Sequence, residues 1–128
     1  MGYSFEFDEK NKLVIYRHSG LIERHEIGEA WQELLKLEYF TRKGFNLVSD
    51  YRGGLFAFSL SDTGTINQFL YSIRHIINGK KEAVIADDPV SAAISMLYEV
   101  MPMDGIDFQV RVFSTEEAAM NWITAFSN

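Results

Sequence analysis

The stretch Lys80–Pro89, Lys-Lys-Glu-Ala-Val-Ile-Ala-Asp-Asp-Pro, constrains this chain more than any other. Ala83-Val84-Ile85-Ala86 is an unbroken apolar run too short for a helix, and such a run suits a strand covered on both faces, as in the middle of a parallel sheet. Asp87-Asp88-Pro89 stops it and opens a helix. Proline fits the first helical position, and Asp88 can accept from the free N–H groups beyond it. A buried strand that feeds a helix through a tight acidic turn is half of a βαβ unit.

The flanking sequence extends the pattern. Tyr3–Phe7 alternates with period two, Asp8–Asn11 is a polar turn, and Leu13–His18 is a second β-rich run, so the chain opens with an antiparallel hairpin at a sheet edge. Ile27, Ala30, Trp31, Leu34 and Leu35 share one helical face, which predicts a helix over residues 23–37. Phe45–Tyr51 reads as a strand broken by Gly53-Gly54, and Leu55–Leu60 is an apolar stretch where connections are normally polar. Ser61 or Asp62 then caps a helix with Ile66, Phe69, Leu70, Ile73, Ile76 and Ile77 inward, ending at Asn78-Gly79. The helix after Pro89 is expected to bury Val90, Ala93, Ile94, Leu97, Val100 and Met101. Phe108–Phe113 is the last strand. Ser114–Glu117 reads as a capping box for a closing helix with Ala119, Trp122, Ile123 and Phe126 on one face. The order ββα βα βα βα predicts a single α/β domain over residues 1–128, with a mixed sheet of five strands: the hairpin, then three parallel βα units.

Composition narrows the function. With 12 basic against 18 acidic residues and a net charge of −6, there is no electrostatic footprint for nucleic acid or for an anionic membrane surface. The absence of cysteine excludes disulfides and thiolate chemistry, and fits a cytoplasmic location. No signal peptide and no membrane span are expected. Aromatic residues make up 14% of the chain, enough to line a ligand cavity as well as fill a core.

In an open α/β sheet, ligands sit outside the C-terminal ends of the strands. Those ends carry Asp50 with Arg52, the Ser59–Thr65 loop, Asp87-Asp88 and Ser114-Thr115. The aspartates read as a helix cap, an Arg52 partner and a solvated side chain rather than as metal ligands. His18, His25 and His75 have no metal-ligand spacing, no nucleophile elbow is present, and neither an enzyme nor a cofactor is expected. Two stretches remain. Ser59–Thr65 is rich in hydroxyls at a helix N-terminus, where a phosphorylated side chain would meet the positive end of the dipole. Leu55–Leu60 either turns Phe56 and Phe58 outward as a docking patch or folds them back toward the core.

The helix–strand order, the Asp50-Tyr-Arg-Gly53 turn, the Lys81–Asp87 strand and above all Val110-Arg-Val-Phe-Ser-Thr-Glu-Glu-Ala-Ala-Met-Asn-Trp-Ile123 resemble the SpoIIAA-like branch of the STAS superfamily. The resemblance covers nearly the whole chain. It implies a bacterial cytoplasmic protein related in fold to anti-anti-sigma factors and to CRAL-TRIO lipid-transfer domains. Anti-anti-sigma factors carry a phosphorylated serine in an Asp-Ser-Ser-Gly turn. Ser61-Asp62-Thr63-Gly64 matches it only in the hydroxyl and the glycine, with Thr63 at the acceptor position.

Two functions follow as expectations. The first is a non-enzymatic regulatory module that docks a protein partner through Leu55, Phe56, Phe58, Leu60, Ser61, Asp62 and Gly64, with Thr63 as a phospho-acceptor. The second is a binder of an apolar or lipid-like small molecule in a cavity lined by Phe56, Phe58, Phe69, Met96 and Met101. Self-association through the hairpin edge is a further expectation.

Overall fold

A computed structural model describes residues 2–59 and 63–125 of the chain. Leu60, Ser61, Asp62 and Phe126 lie outside the described residues. The elements are β1 (Tyr3–Asp8), β2 (Leu13–His18), β3 (Gly20–Ile22), α1 (Arg24–Leu34), α2 (Glu38–Thr41), β4 (Asn46–Asp50), β5 (Gly54–Phe56), α3 (Thr63–Ser72), α4 (Arg74–Ile77), β6 (Lys80–Ile85), α5 (Pro89–Glu99), β7 (Phe108–Phe113) and α6 (Glu116–Ile123). The main sheet has five strands in the order β1-β2-β4-β6-β7. β1 pairs with β2 antiparallel, and every later pairing is parallel.

The alternation of β6 shows why the sheet is organised around it. Val84 joins the larger apolar cluster, formed with α1 to α5, while Ala83 and Ile85 join a smaller one with Ala119 and Ile123 of α6. Ala83, Val84, Ile85 and Ala86 are each at most 2% exposed, as a doubly covered strand requires. Asp88 caps α5 as its spacing predicts, with its Oδ2 accepting from the N–H groups of Val90 and Ser91, both at 3.0 Å, and Pro89 in the first turn.

Four features depart from the sequence expectation. First, β3 and β5 pair in parallel as a separate two-stranded ribbon, joining residues 34 positions apart (Gly20 with Gly54), a pairing no local periodicity reports. Gly54 permits it: a Cβ there would stand 2.6 Å from Ile22 Cδ1 and 2.9 Å from the Tyr51 carbonyl oxygen. Second, the helix expected to run to Asn78 breaks at Ile73 into α3 and α4. Gly79 then turns the chain with φ +85°, a conformation that favours glycine. Third, Thr115 rather than Ser114 caps α6, its hydroxyl oxygen accepting from the Ala118 N–H at 3.2 Å. A Glu-to-backbone bond of the capping-box kind appears instead at α1, where Glu26 accepts from the Glu23 N–H at 2.9 Å.

The fourth departure concerns α5, which turns an unexpected face inward. Ser91 and Ser95 are buried, whereas Val90, Ala93, Leu97 and Val100 are exposed, and of the expected inward set Ile94 and Met101 remain. The reason is close approach. The Ser91 hydroxyl oxygen accepts from the Phe56 N–H at 3.1 Å, so α5 lies against the backbone edge of β5, where only a small side chain fits. Bulky residues at neighbouring positions are thereby sent outward.

Two substitutions separate these environments. Ile85→Ala should cost about 2–5 kcal/mol in urea unfolding, the usual range for truncating a buried aliphatic. Val100→Lys, at a position 71% exposed, should change stability by no more than about 0.5 kcal/mol.

Candidate functional site

The larger cluster does not close completely. Between α1, α3 and α5, above Tyr51 at the end of β4 and the middle of β6, lies a cavity of about 740 Å³. Its floor is Tyr51, Glu82 and Val84, and α1 contributes Ile27, Gly28 and Trp31 to one wall. Ile66 and Phe69 of α3 face them, and Ser95 and Tyr98 of α5 close a third side. The β3–β5 ribbon delivers Phe56 and Phe58 to the remaining side. Their rings stack at 5.0 Å, and Phe56 meets Tyr51 edge-on at 4.9 Å. Trp31 meets Phe69 edge-on at 6.0 Å. A mostly apolar concavity of this size is within the range of small-molecule sites, about 300–1,000 Å³.

Gly28 is exposed and sits mid-helix on α1, and a Cβ built there meets nothing within 4 Å. Glycine in a helix interior costs stability without helping the helix. Here it lines the cavity with no side chain of its own, beside the exposed residues Arg24, His25 and Glu29.

Two buried carboxyl groups mark the region, with opposite surroundings. Asp50, at the end of β4, is held by two arginines: Arg17 Nη1 donates to Oδ2 at 2.6 Å, while Arg52 donates from Nε to Oδ1 at 2.9 Å and from Nη2 to Oδ2 at 2.7 Å. Burial pushes the Asp50 carboxyl up, but the bonds and charge of Arg52, with Arg17 beside it, outweigh burial and hold its pKa below the ordinary value. Glu82, on β6, is 1% exposed, and among the described residues its hydrogen-bond partners are hydroxyls: Ser49 Oγ lies 2.6 Å from Oε2 and Tyr98 Oη 2.7 Å from Oε1. Burial raises its pKa, against the opposing effect of those two hydrogen bonds. The Tyr51 and Tyr98 hydroxyls beside it are raised as well, chiefly by burial.

Of the residues singled out from the sequence, Phe56, Phe58 and Phe69 line the cavity. Met101 is buried in the core and Met96 is exposed on α5, and neither reaches the cavity wall. Leu55 faces outward next to Leu21 of β3, while Phe56 is buried and Phe58 half-buried. Thr63 is the first residue of α3 and Gly64 the second; Leu60, Ser61 and Asp62 fall outside the described residues. Asp87 accepts from the Gly53 N–H at 3.3 Å. Among the described residues no group of three His, Asp or Glu side chains could hold a metal ion. None of their helices is long and apolar enough to cross a membrane.

Glu82, Tyr51, Tyr98 and Gly28 were not among the sequence candidates. Glu82 had a signal: it is a charged residue two positions before Val84, so a strand buried on both sides must carry it inward.

No family model and no curated protein matches the sequence. A solved structure does match the fold: an uncharacterised DUF3478-family protein with a SpoIIAA-like fold from Shewanella loihica PV-4. It aligns with a TM-score of 0.55 at 9% identity over 94% of this chain and 91% of that one. The fold is SpoIIAA-like. At that identity the likeness extends to architecture alone, and a SpoIIAA-like fold is compatible with a regulatory or interaction module.

The raised pKa of Glu82 has a consequence for stability. Its folded form holds the proton more tightly than the unfolded chain does, so this contribution is fully present below the unfolded carboxyl value of about 4.3 and is lost as pH rises through the folded value. Glu82→Gln cannot lose a proton. In urea unfolding, the variant should therefore gain on the wild type as pH rises from about 4 to 7.

Proposed function

We propose that this chain acts, as one domain, by binding an apolar small molecule in the cavity between α1, α3 and α5, without transforming it. The observation that carries the reading is the orientation of Phe56 and Phe58. Both rings turn to the cavity, where they stack on each other and Phe56 meets Tyr51 edge-on, rather than outward where a protein partner would meet them. An aromatic wall offers a flat, weakly polar surface to a ligand at low entropic cost, because each ring is already held by its neighbours. We place the entrance of the cavity at Gly28, an exposed lining residue of α1 whose missing side chain leaves free space there.

Gly28→Leu provides the test. Leucine favours a helix over glycine by roughly 0.5–1 kcal/mol, and nothing lies within 4 Å of the new Cβ, so thermal stability should be equal or higher. The same side chain should obstruct the mouth. The neutral fluorophore N-phenyl-1-naphthylamine should bind the wild type with the blue shift of an apolar site, and Gly28→Leu should weaken that binding about tenfold or more, equivalent to roughly 1.4 kcal/mol. Absence of binding to the wild type, or equal binding by both proteins, would refute the reading.

A further inference from the structure

The two buried carboxyls differ in one respect that bears on what the cavity holds. Asp50 has two guanidinium partners, whereas Glu82 has no ion-pair partner among the described residues. Lys80 shares its strand and face, but its ammonium turns to the other end of the sheet, donating to the Phe45 carbonyl oxygen at 2.8 Å and lying 4.6 Å from the centre of the Phe40 ring. Such a position ordinarily favours an aliphatic residue. Removing a carboxyl from water without a counter-charge is costly, and hydroxyl donors offset that only in part.

The cavity that this acid lines is also lined by Tyr51, Tyr98, Phe56, Phe58, Phe69 and Trp31. Aromatic rings attract a cation through their quadrupole, most strongly where water is excluded. A buried carboxyl at the base of an aromatic-walled cavity therefore has the two components of an organic-cation site: a counter-charge and a polarisable lining. The charges at the mouth, Arg24 and Glu29, are of opposite sign, and the net charge of −6 draws cations toward the chain as a whole.

We infer that the cavity selects an organic cation, an ammonium head on an apolar body, which enters head first and pairs with Glu82 while its body packs against the aromatic wall. This rests on the cavity being the binding site. The bond formed is an ion pair; no covalent step is involved. Ser49 and Tyr98 keep their hydrogen bonds to the carboxyl and hold its oxygens in place, since each carboxylate oxygen can accept a second donor.

The test displaces N-phenyl-1-naphthylamine from the wild type and from Glu82→Gln with three ligands of one chain length: n-octylammonium, octan-1-ol and octanoate. On the wild type, octylammonium should compete about tenfold or more better than octanol, from the ion pair and the cation–π contacts together, and octanoate should be the weakest. Glu82→Gln should erase the advantage of the cation while leaving octanol within about twofold, because glutamine keeps the shape and removes only the charge. Comparing the three ligands on the wild type alone decides the matter should the variant fail to fold. Equal competition by octanol and octylammonium, or stronger competition by octanoate, would overturn cation selection and leave the apolar-cavity reading standing. If the fluorophore and all three ligands fail to bind, both fall.

Discussion

Strand β6 is covered by helices on both of its faces, and the remaining elements take their positions from that. Its odd and even side chains feed two separate apolar clusters, so neither face of the sheet can be left to solvent at its centre. Among the described residues, the crowded face receives α1 to α5 and the other receives α6. The helical segments on the crowded face leave a gap over Tyr51, just past the end of β4, and over Glu82 and Val84 of β6. This is where open parallel sheets generally place their ligands, because the strands end there and the chain must diverge.

The small β3–β5 ribbon gives that gap its character. It is built on the absence of a Cβ at Gly54 and is held on its other edge by Ser91 of α5. Through these two contacts the ribbon brings Phe56 and Phe58 to the cavity and sets α5 so close that its serines face in and its aliphatic residues face out. The position of α5 in turn brings the Tyr98 hydroxyl to Glu82. One close backbone approach thus determines both the apolar wall and the hydroxyl shell around the buried acid.

Asp50 and Glu82 show how the same functional group is shifted in opposite directions on neighbouring parallel strands. Both are removed from water. Arginines on β2 and in the turn after β4 reach Asp50 from the rim, where their own guanidinium groups stay partly hydrated, so the carboxylate is stabilised in its charged form. Glu82 lies deeper, under helices that bring hydroxyls and rings, and the same burial raises its pKa. The arginines around Asp50, where Glu82 is met by hydroxyls, set the difference.

Local periodicity was enough to locate the five strands of the main sheet, the doubly buried run at Ala83–Ala86, the cap at Asp88 and the inward faces of α1 and α6, since these depend on side chains two to four residues apart. The inward set given for α5 was largely mistaken for a physical reason: hydrophobicity ranks residues by their transfer from water, while the space between α5 and β5 admits residues by size. The ribbon, the opening at Gly28 and the enclosure of Glu82 depend on groups dozens of positions apart meeting in space, and no window along the chain contains them. Order along the chain was thus written in nearest-neighbour chemistry, and the cavity came from how helices of given bulk share one side of a twisted sheet.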